Sequence, residues 1–99
     1  MNDFLVEVGR IAKALAGREK DRFYMIVKVV DKDYVLLADG ETRKLDRPKL
    51  KKLKHLHLTQ TVLSGIAEKI AEEKKVFDAE LRSAIMKAGY NLTHDERSV

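Results

Sequence analysis

Residues 23–40, FYMIVKVVDKDYVLLADG, decide the fold class because they predict two strands joined by a turn. The run from Phe23 to Val30 is almost continuously apolar and β-rich, which favours a strand buried on both faces over a helix. Asp31-Lys32-Asp33 supplies turn chemistry, and Tyr34–Ala38 has the composition of the next strand. Asp39-Gly40 predicts a hairpin, because a type I′ turn needs positive φ at both central positions.

Four further short segments around this pair have strand-like composition. Phe4–Val8 and Arg10–Ala14 precede it, and Glu41–Leu45 and His55–Leu58 follow it. Short runs separated by turn residues are typical of small barrels and sandwiches. We therefore predict a mainly β fold, with a small barrel over residues 1–58 whose five strands are drawn from these six segments.

Beyond Leu58 the apolar residues recur with a period of about 3.6, which predicts helices. Thr59 or Thr61 would cap the first helix, and the second would begin with Asp78 as N-cap and stop at Gly89. We expect a helical hairpin over residues 59–90 and a frayed polar tail over 91–99. The predicted apolar faces are Val62, Leu63, Ile66, Ala67, Ile70 and Ala71 in the first helix, and Leu81, Ala84, Ile85 and Ala88 in the second.

The composition is that of a cysteine-free globular protein. Its 99 residues suffice for one compact domain, and the 44% of hydrophobic residues can supply a core. No apolar stretch approaches the ~20 residues that span a bilayer, and the N-terminus lacks the pattern of a signal peptide. Without cysteine the chain has no disulfide and no thiolate metal site. We expect a cytoplasmic protein that does not bind membranes.

The net charge of +4 is concentrated in the first part of the chain. Residues 1–57 carry 14 Lys/Arg against 9 Asp/Glu, whereas residues 58–99 carry 6 against 7. This distribution favours a polyanionic partner for the β part. A solvated basic surface without a partner is the alternative, and charge alone does not separate the two.

The most basic stretch runs from Arg43 to His57 and contains seven Lys/Arg, two histidines and one acid. Leucines at positions 45, 50, 53, 56 and 58 lie among the cations, so a basic edge on a folded body is expected rather than a free tail. Lysines placed in this way can neutralise phosphates and release condensed counterions; a solvated loop is the competing interpretation. The candidate RNA-binding residues here are Arg43, Lys44, Arg47, Lys49, Lys51, Lys52, Lys54 and His55.

A second basic cluster surrounds a loop between two predicted strands. Gly17 tolerates positive φ, and Asp21 enters the left-handed region more cheaply than most residues, so the chain can turn here. Such a loop would present its cations to a sugar-phosphate backbone. The candidate RNA-binding residues are Arg10, Lys13, Gly17, Arg18, Lys20 and Arg22.

Catalytic and metal-binding patterns find no support in the sequence. His55 and His57 would share one face of a strand, but Asp46 is their nearest carboxylate and there is no cysteine, so we expect no metal site. The phosphate-cradling GxxxxGK[ST] pattern is missing. The serines lie in or beyond the helical part, which leaves no Ser/His/Asp arrangement. We therefore expect a non-enzymatic binding protein without cofactor or small-molecule substrate.

Residues 9–22 and the segment FYMIVKVVDKDYVLLADG together resemble a KOW motif, and the likeness extends to Lys54-His55-Leu56. Within the KOW family the chain is most similar to the large-subunit ribosomal proteins fourteen-e of archaea and eukaryotes and to their bacterial KOW-domain relatives. The resemblance covers about residues 5–58. It implies an SH3-like five-stranded barrel, a role in or beside the ribosome, and RNA contact by the loop around Gly17. Asp21 stands where many relatives have a second glycine.

The leading hypothesis is a ribosome-associated RNA-binding protein, with ribosomal RNA and ribosomal proteins as partners. The rival is a protein-interaction module of the translation or transcription machinery that docks or dimerises through its C-terminal helices. An apolar helix face left uncovered by the β part would favour the rival. DNA binding is a third possibility without a recognition-helix pattern to support it, since the helices carry the near-neutral part of the charge.

Overall fold

A computed structural model of the chain describes residues 4–92, in which a five-stranded antiparallel sheet is followed by two helices. The mainly β prediction with two C-terminal helices is therefore confirmed. A single 3₁₀ turn, Leu53–His55, separates the last two strands. The strands are β1 (Arg10–Ala14), β2 (Phe23–Val29), β3 (Tyr34–Ala38), β4 (Lys49–Lys52) and β5 (Leu56–Val62), and the helices are α1 (Ser64–Ala71) and α2 (Asp78–Lys87).

The strands lie in the order β4-β3-β2-β1-β5, so β4 and β5 form the two edges. Within residues 4–92 no ladder joins these edges, and the sheet is open rather than the closed barrel that we expected. The edges are connected instead through loops: the N–H of Leu53 donates to the carbonyl of Asp33, and the N–H of Leu15 donates to that of His55. The 3₁₀ turn after β4 thus lies against the β2–β3 and β1–β2 connections.

Both faces of the sheet are buried, as the apolar run in β2 predicts. One face carries a cluster of buried residues from β1, β2, β3 and β5, including Tyr24 and Ile26. The opposite face is covered by the helices, where Met25 of β2 shares a second cluster with Ile66, Leu81 and Ile85. Consecutive residues of β2 therefore enter different clusters, which is the side-chain alternation of a strand.

Helix α2 ends and packs much as its sequence predicts. Leu81 and Ile85 are buried, and Gly89 follows the helix with φ +99°, the left-handed conformation that stops many helices. Asp78 is the first residue of the helix and not its N-cap, which is Phe77; the Asp78 carboxylate instead accepts the N–H of Leu45 from the β3–β4 connection. Gly40 of that connection lies so close to α2 that an added Cβ would overlap the carbonyl of Asp78.

Two predicted strands do not form. Phe4 and Leu5 are 42% and 68% exposed, and the carbonyl of Leu5 accepts the side chain of Arg10 instead of pairing with a strand. The segment 41–45 follows a side-chain turn, because the Asp39 carboxylate accepts the N–H groups of Glu41 and Arg43. A side chain that bonds to nearby backbone in this way competes with strand pairing, so Asp39-Gly40 does not close a two-residue hairpin.

The ends of the β part also differ from prediction. Strand β4 lies inside the stretch interpreted as a basic edge, and β5 continues past residue 58 to Val62. Thr59 and Thr61 are therefore strand residues and cap no helix; the Thr59 hydroxyl donates to the carbonyl of Ile11. The helix α1 begins after Leu63 without a side-chain cap.

The residues after α2 are tied to the sheet. The amide of Asn91 accepts the N–H of Phe23 at 2.9 Å and donates to its carbonyl at 2.7 Å, and the Tyr90 hydroxyl lies 2.7 Å from that of Thr61. The start of the predicted frayed tail is thus ordered, and residues 93–99 lie outside the described part. Among residues 4–92, neither helix has the length and apolar character to cross a membrane.

Candidate nucleic-acid interface

The loop between β1 and β2 turns as the sequence predicts. Gly17 has φ +87° and Asp21 has φ +73°, both in the left-handed region. The N–H of Asp21 donates to the carbonyl of Ala14 at 2.7 Å, which closes the loop at its base. Arg18 and Lys20 at the tip are exposed, and neither forms an ion pair with another described residue. Their charges are available to a partner.

Strand β4 is an edge strand made almost entirely of lysine. Pairing of Val35 with Lys51 and of Leu37 with Lys49 places these two lysines on the same sheet face. Leu50 and Lys52 occupy the other face, where the Lys52 ammonium lies 5.7 Å from the centre of the Tyr34 ring. Lysines also protect edge strands against pairing with other chains, so their presence alone does not indicate a ligand.

The loop and the edge strand, far apart in the sequence, meet in the structure. The Lys51 ammonium donates to the carbonyl of Ala16 at 3.3 Å. A Cβ added at Gly17 would lie 3.5 Å from the same ammonium, so this glycine touches the edge strand. We call the β1–β2 loop together with β4 the basic corner. Both basic clusters predicted from the sequence contribute to it.

Glu19 lies inside the basic corner, and the sequence-based reasoning missed its role. Its carboxylate is 3.6 Å from the Arg43 guanidinium and 3.9 Å from the Lys49 ammonium. Partial burial raises the pKa of Glu19, but a hydrogen bond to its own backbone N–H and the charges of Lys49, Lys51 and Arg43 outweigh this and hold the pKa below its usual value. Glu19 is therefore ionised at neutral pH and offsets part of the basic charge.

Arg10, a predicted RNA contact, has a structural role. Its side chain is buried; it donates to the carbonyls of Leu5 and Thr59 and forms an ion pair with Glu7 at 3.1 Å. These contacts hold the N-terminal segment against β5. A guanidinium used in this way has few donors left for a phosphate, so we leave Arg10 out of the proposed interface.

Arg22 pairs with Asp39, a buried carboxylate that accepts four hydrogen bonds. Asp39 is 1% exposed and accepts Arg22 Nε at 2.6 Å, together with the Thr42 hydroxyl and two backbone N–H groups. Burial raises the pKa of Asp39, but these hydrogen bonds more than compensate and lower it. Arg22 also lies 3.5 Å from Glu41, so it fixes the β3–β4 connection and is not a free loop cation.

The remaining predicted contacts lie outside the basic corner. Lys13 forms an ion pair with Asp21 at 3.6 Å, which partly neutralises it. His55 is half-buried in the 3₁₀ turn, and no group of three potential ligands within residues 4–92 could hold a metal ion. Three cations are exposed and form no ion pair with a described residue: Lys44, Arg47 and Lys54.

No model of a known protein family matches the chain. The likeness to the KOW family therefore remains a resemblance carried by the residues quoted above. Fold and site together define an open five-stranded sheet with a helical cover on one face and a basic corner at one edge.

Proposed function

We propose that this chain is a non-enzymatic, cytoplasmic RNA-binding protein that works beside or within the ribosome and holds structured RNA with its basic corner. The observation that carries the proposal is the contact between the Gly17 loop and β4, with Lys51 bonded to Ala16. Two basic segments more than thirty residues apart thereby form one surface. The resemblance to KOW proteins implies the same loop as an RNA contact.

Phosphate contacts would supply most of the affinity. Arg18 and Lys20 project from the loop, and the lysines of β4 extend the positive surface along the sheet edge. Each phosphate that these cations neutralise releases counterions. Contacts to the 2′-hydroxyls and to the shape of the A-form helix would add a preference for RNA over DNA.

The protein-interaction alternative is less well supported. It needs an uncovered apolar helix face, yet Ile66, Leu81 and Ile85 are buried against the sheet. The most exposed large apolar residues of the helical region include Phe77, which is 62% exposed and stands in the connection between α1 and α2. A single exposed side chain is common on protein surfaces and does not by itself indicate a docking face.

Charge reversal at Lys49, Lys51 and Lys52 tests the proposal. A fluorescently labelled RNA hairpin is titrated in anisotropy measurements at several salt concentrations between 50 and 300 mM. We expect wild-type affinity to fall steeply with salt. The triple Lys→Glu variant should bind at least about 100-fold more weakly at 100 mM salt, because three positive charges along the sheet edge become negative. A triple Lys→Gln variant and circular dichroism separate loss of charge from loss of fold.

The matched control reverses three exposed lysines of the helical region, Lys74, Lys75 and Lys87. It changes the net charge by the same amount and should weaken binding several times less. Equal losses of affinity in both variants would mean that general charge attraction, and not the basic corner, holds the RNA. Wild-type affinity for RNA that does not change with salt would refute the proposal. Binding of the protein to ribosomes, with release by moderate salt, would support the proposed role beside or within the ribosome.

A further inference from the structure

The most unusual feature of the basic corner is a carboxylate surrounded by three cations. Glu19 faces Arg43 and Lys49, and the Lys51 charge also acts on it. Three positive charges around one negative charge leave a net excess of two. The side chain of Glu19 remains 22% exposed, so the group opens to solvent rather than lying sealed in the core.

The ion pairs that this carboxylate forms with the neighbouring cations are loose. Its separations of 3.6 Å from Arg43 and 3.9 Å from Lys49 exceed those of charge-assisted hydrogen bonds, which are about 2.7–2.9 Å. By contrast, Asp39 accepts Arg22 at 2.6 Å. The cations around Glu19 are thus attracted to it without being saturated by it.

The backbone around this carboxylate is held independently of the Glu19 side chain. The N–H of Arg43 donates to Asp39 at 2.8 Å, and Lys49 pairs with Leu37 in the sheet. The carbonyl of Glu19 accepts the N–H of Arg22 at 3.0 Å, so the loop backbone is held as well. Another anion can therefore enter when the Glu19 side chain turns away, without a change in the backbone.

We infer that Arg43, Lys49 and Lys51 form a site for one phosphate group of the RNA backbone, which Glu19 fills while RNA is not bound. A phosphate offers more acceptor oxygens than a carboxylate and matches a guanidinium fork. On binding, it displaces the Glu19 side chain toward solvent. Glu19 therefore acts as a built-in competitor that weakens RNA binding, and this inference rests on the proposed function.

Glu19→Gln should consequently tighten binding although it lies inside the interface. Even at the dielectric constant of water, the repulsion between a carboxylate and a phosphate about 5 Å apart weakens binding roughly four-fold. We expect the Kd for the RNA hairpin to fall at least about four-fold at 50 mM salt, with the gain shrinking at 300 mM as salt screens the charges. Glu19→Ala should act in the same direction.

The control is Glu72→Gln, which removes one negative charge at the end of α1, where Glu72 pairs with Lys74 at 3.0 Å. It should change the Kd less than two-fold. As a second probe, inorganic phosphate at constant ionic strength should displace RNA more effectively than chloride does, because it fits the same three cations. Equal displacement by phosphate and by chloride would show that these cations form no phosphate site and would overturn the inference.

The outcomes separate this inference from the proposed function. If wild-type protein binds RNA through the β4 lysines but Glu19→Gln equals Glu72→Gln or binds more weakly, the inference is wrong and the proposed function stands. If wild-type protein does not bind structured RNA, both fail. Tighter RNA binding by Glu19→Gln, without tighter binding by Glu72→Gln, supports both the inference and the proposed function.

Discussion

Replacing Asp39 with asparagine removes one charge from the interior with little change in shape. In the wild-type protein one carboxylate oxygen accepts the N–H groups of Glu41 and Arg43, at 2.9 and 2.8 Å. The other accepts Arg22 Nε at 2.6 Å and the Thr42 hydroxyl at 2.7 Å. The asparagine oxygen can keep the first pair, but its NH₂ group then faces the Arg22 donor, and the Thr42 hydroxyl must turn to accept.

The magnitude follows from these contacts. Breaking a buried ion pair by removing one partner costs about 3–5 kcal/mol. Arg22 is 27% exposed and retains Glu41 at 3.5 Å, so solvent and this second carboxylate reduce the penalty. We expect a loss of about 3 kcal/mol, a large part of the roughly 5–15 kcal/mol of a domain of this size.

Urea denaturation followed by circular dichroism measures the effect. With a slope of about 1.5 kcal/mol per molar urea, the midpoint should fall by about 2 M. Asp46→Asn is the matched control, because Asp46 is exposed and forms no hydrogen bond or ion pair with another described residue. Its midpoint should stay within about 0.3 M of the wild-type value.

The pH dependence provides a second check. Because the folded state lowers the pKa of Asp39, its carboxylate contributes stability above the unfolded-state pKa, and that contribution is lost as the pH falls through the folded-state pKa. The difference between wild type and Asp39→Asn should therefore narrow on acidification below about pH 4. A variant within about 0.5 kcal/mol of wild type at pH 7, or a difference that does not change with pH, would refute the reasoning.

Further substitutions test how the helices and the last described residues are held. Gly40→Ala should lower the free energy of unfolding by about 3 kcal/mol or more, because φ is +79° and the new Cβ would overlap the carbonyl of Asp78. A wild-type melting temperature would contradict this close approach. Gly65→Ala should instead stabilise by about 0.5–1 kcal/mol, since the position is helical and no atom lies within 4 Å; destabilisation would count against this. Asn91→Ala should lower the free energy of unfolding by about 1–2 kcal/mol and speed hydrogen exchange at the Phe23 amide. Unchanged exchange at this amide would show that the contact does not contribute to stability.

Much of the fold follows from local pattern. The strands β2 and β3 were predictable because their apolar residues serve both sheet faces, and Gly89 because a helix stop needs positive φ. The segment 41–45 was not predictable from composition. Its backbone bonds to the buried carboxylate of Asp39, and a sequence does not indicate which aspartate is buried.

The candidate site was predictable in outline and not in detail. Both basic clusters were visible as charge, but charge does not distinguish the exposed Arg18 from the buried Arg10. That distinction depends on carbonyls such as that of Thr59, 49 residues away. Glu19 was missed for the same reason, since its cationic neighbours come from beyond the β3 strand.

The contact between Asn91 and Phe23 fixes a position at which a probe can be attached. Phe23 directly follows the Gly17 loop, so a peptide or fluorophore attached at Leu92 would lie near the base of this loop. A tethered group held there by a short flexible link has an effective concentration of the order of millimolar. Under the proposed function, an acidic peptide attached at this point would compete with RNA in cis, and an environment-sensitive dye would report RNA binding without any substitution in the basic corner.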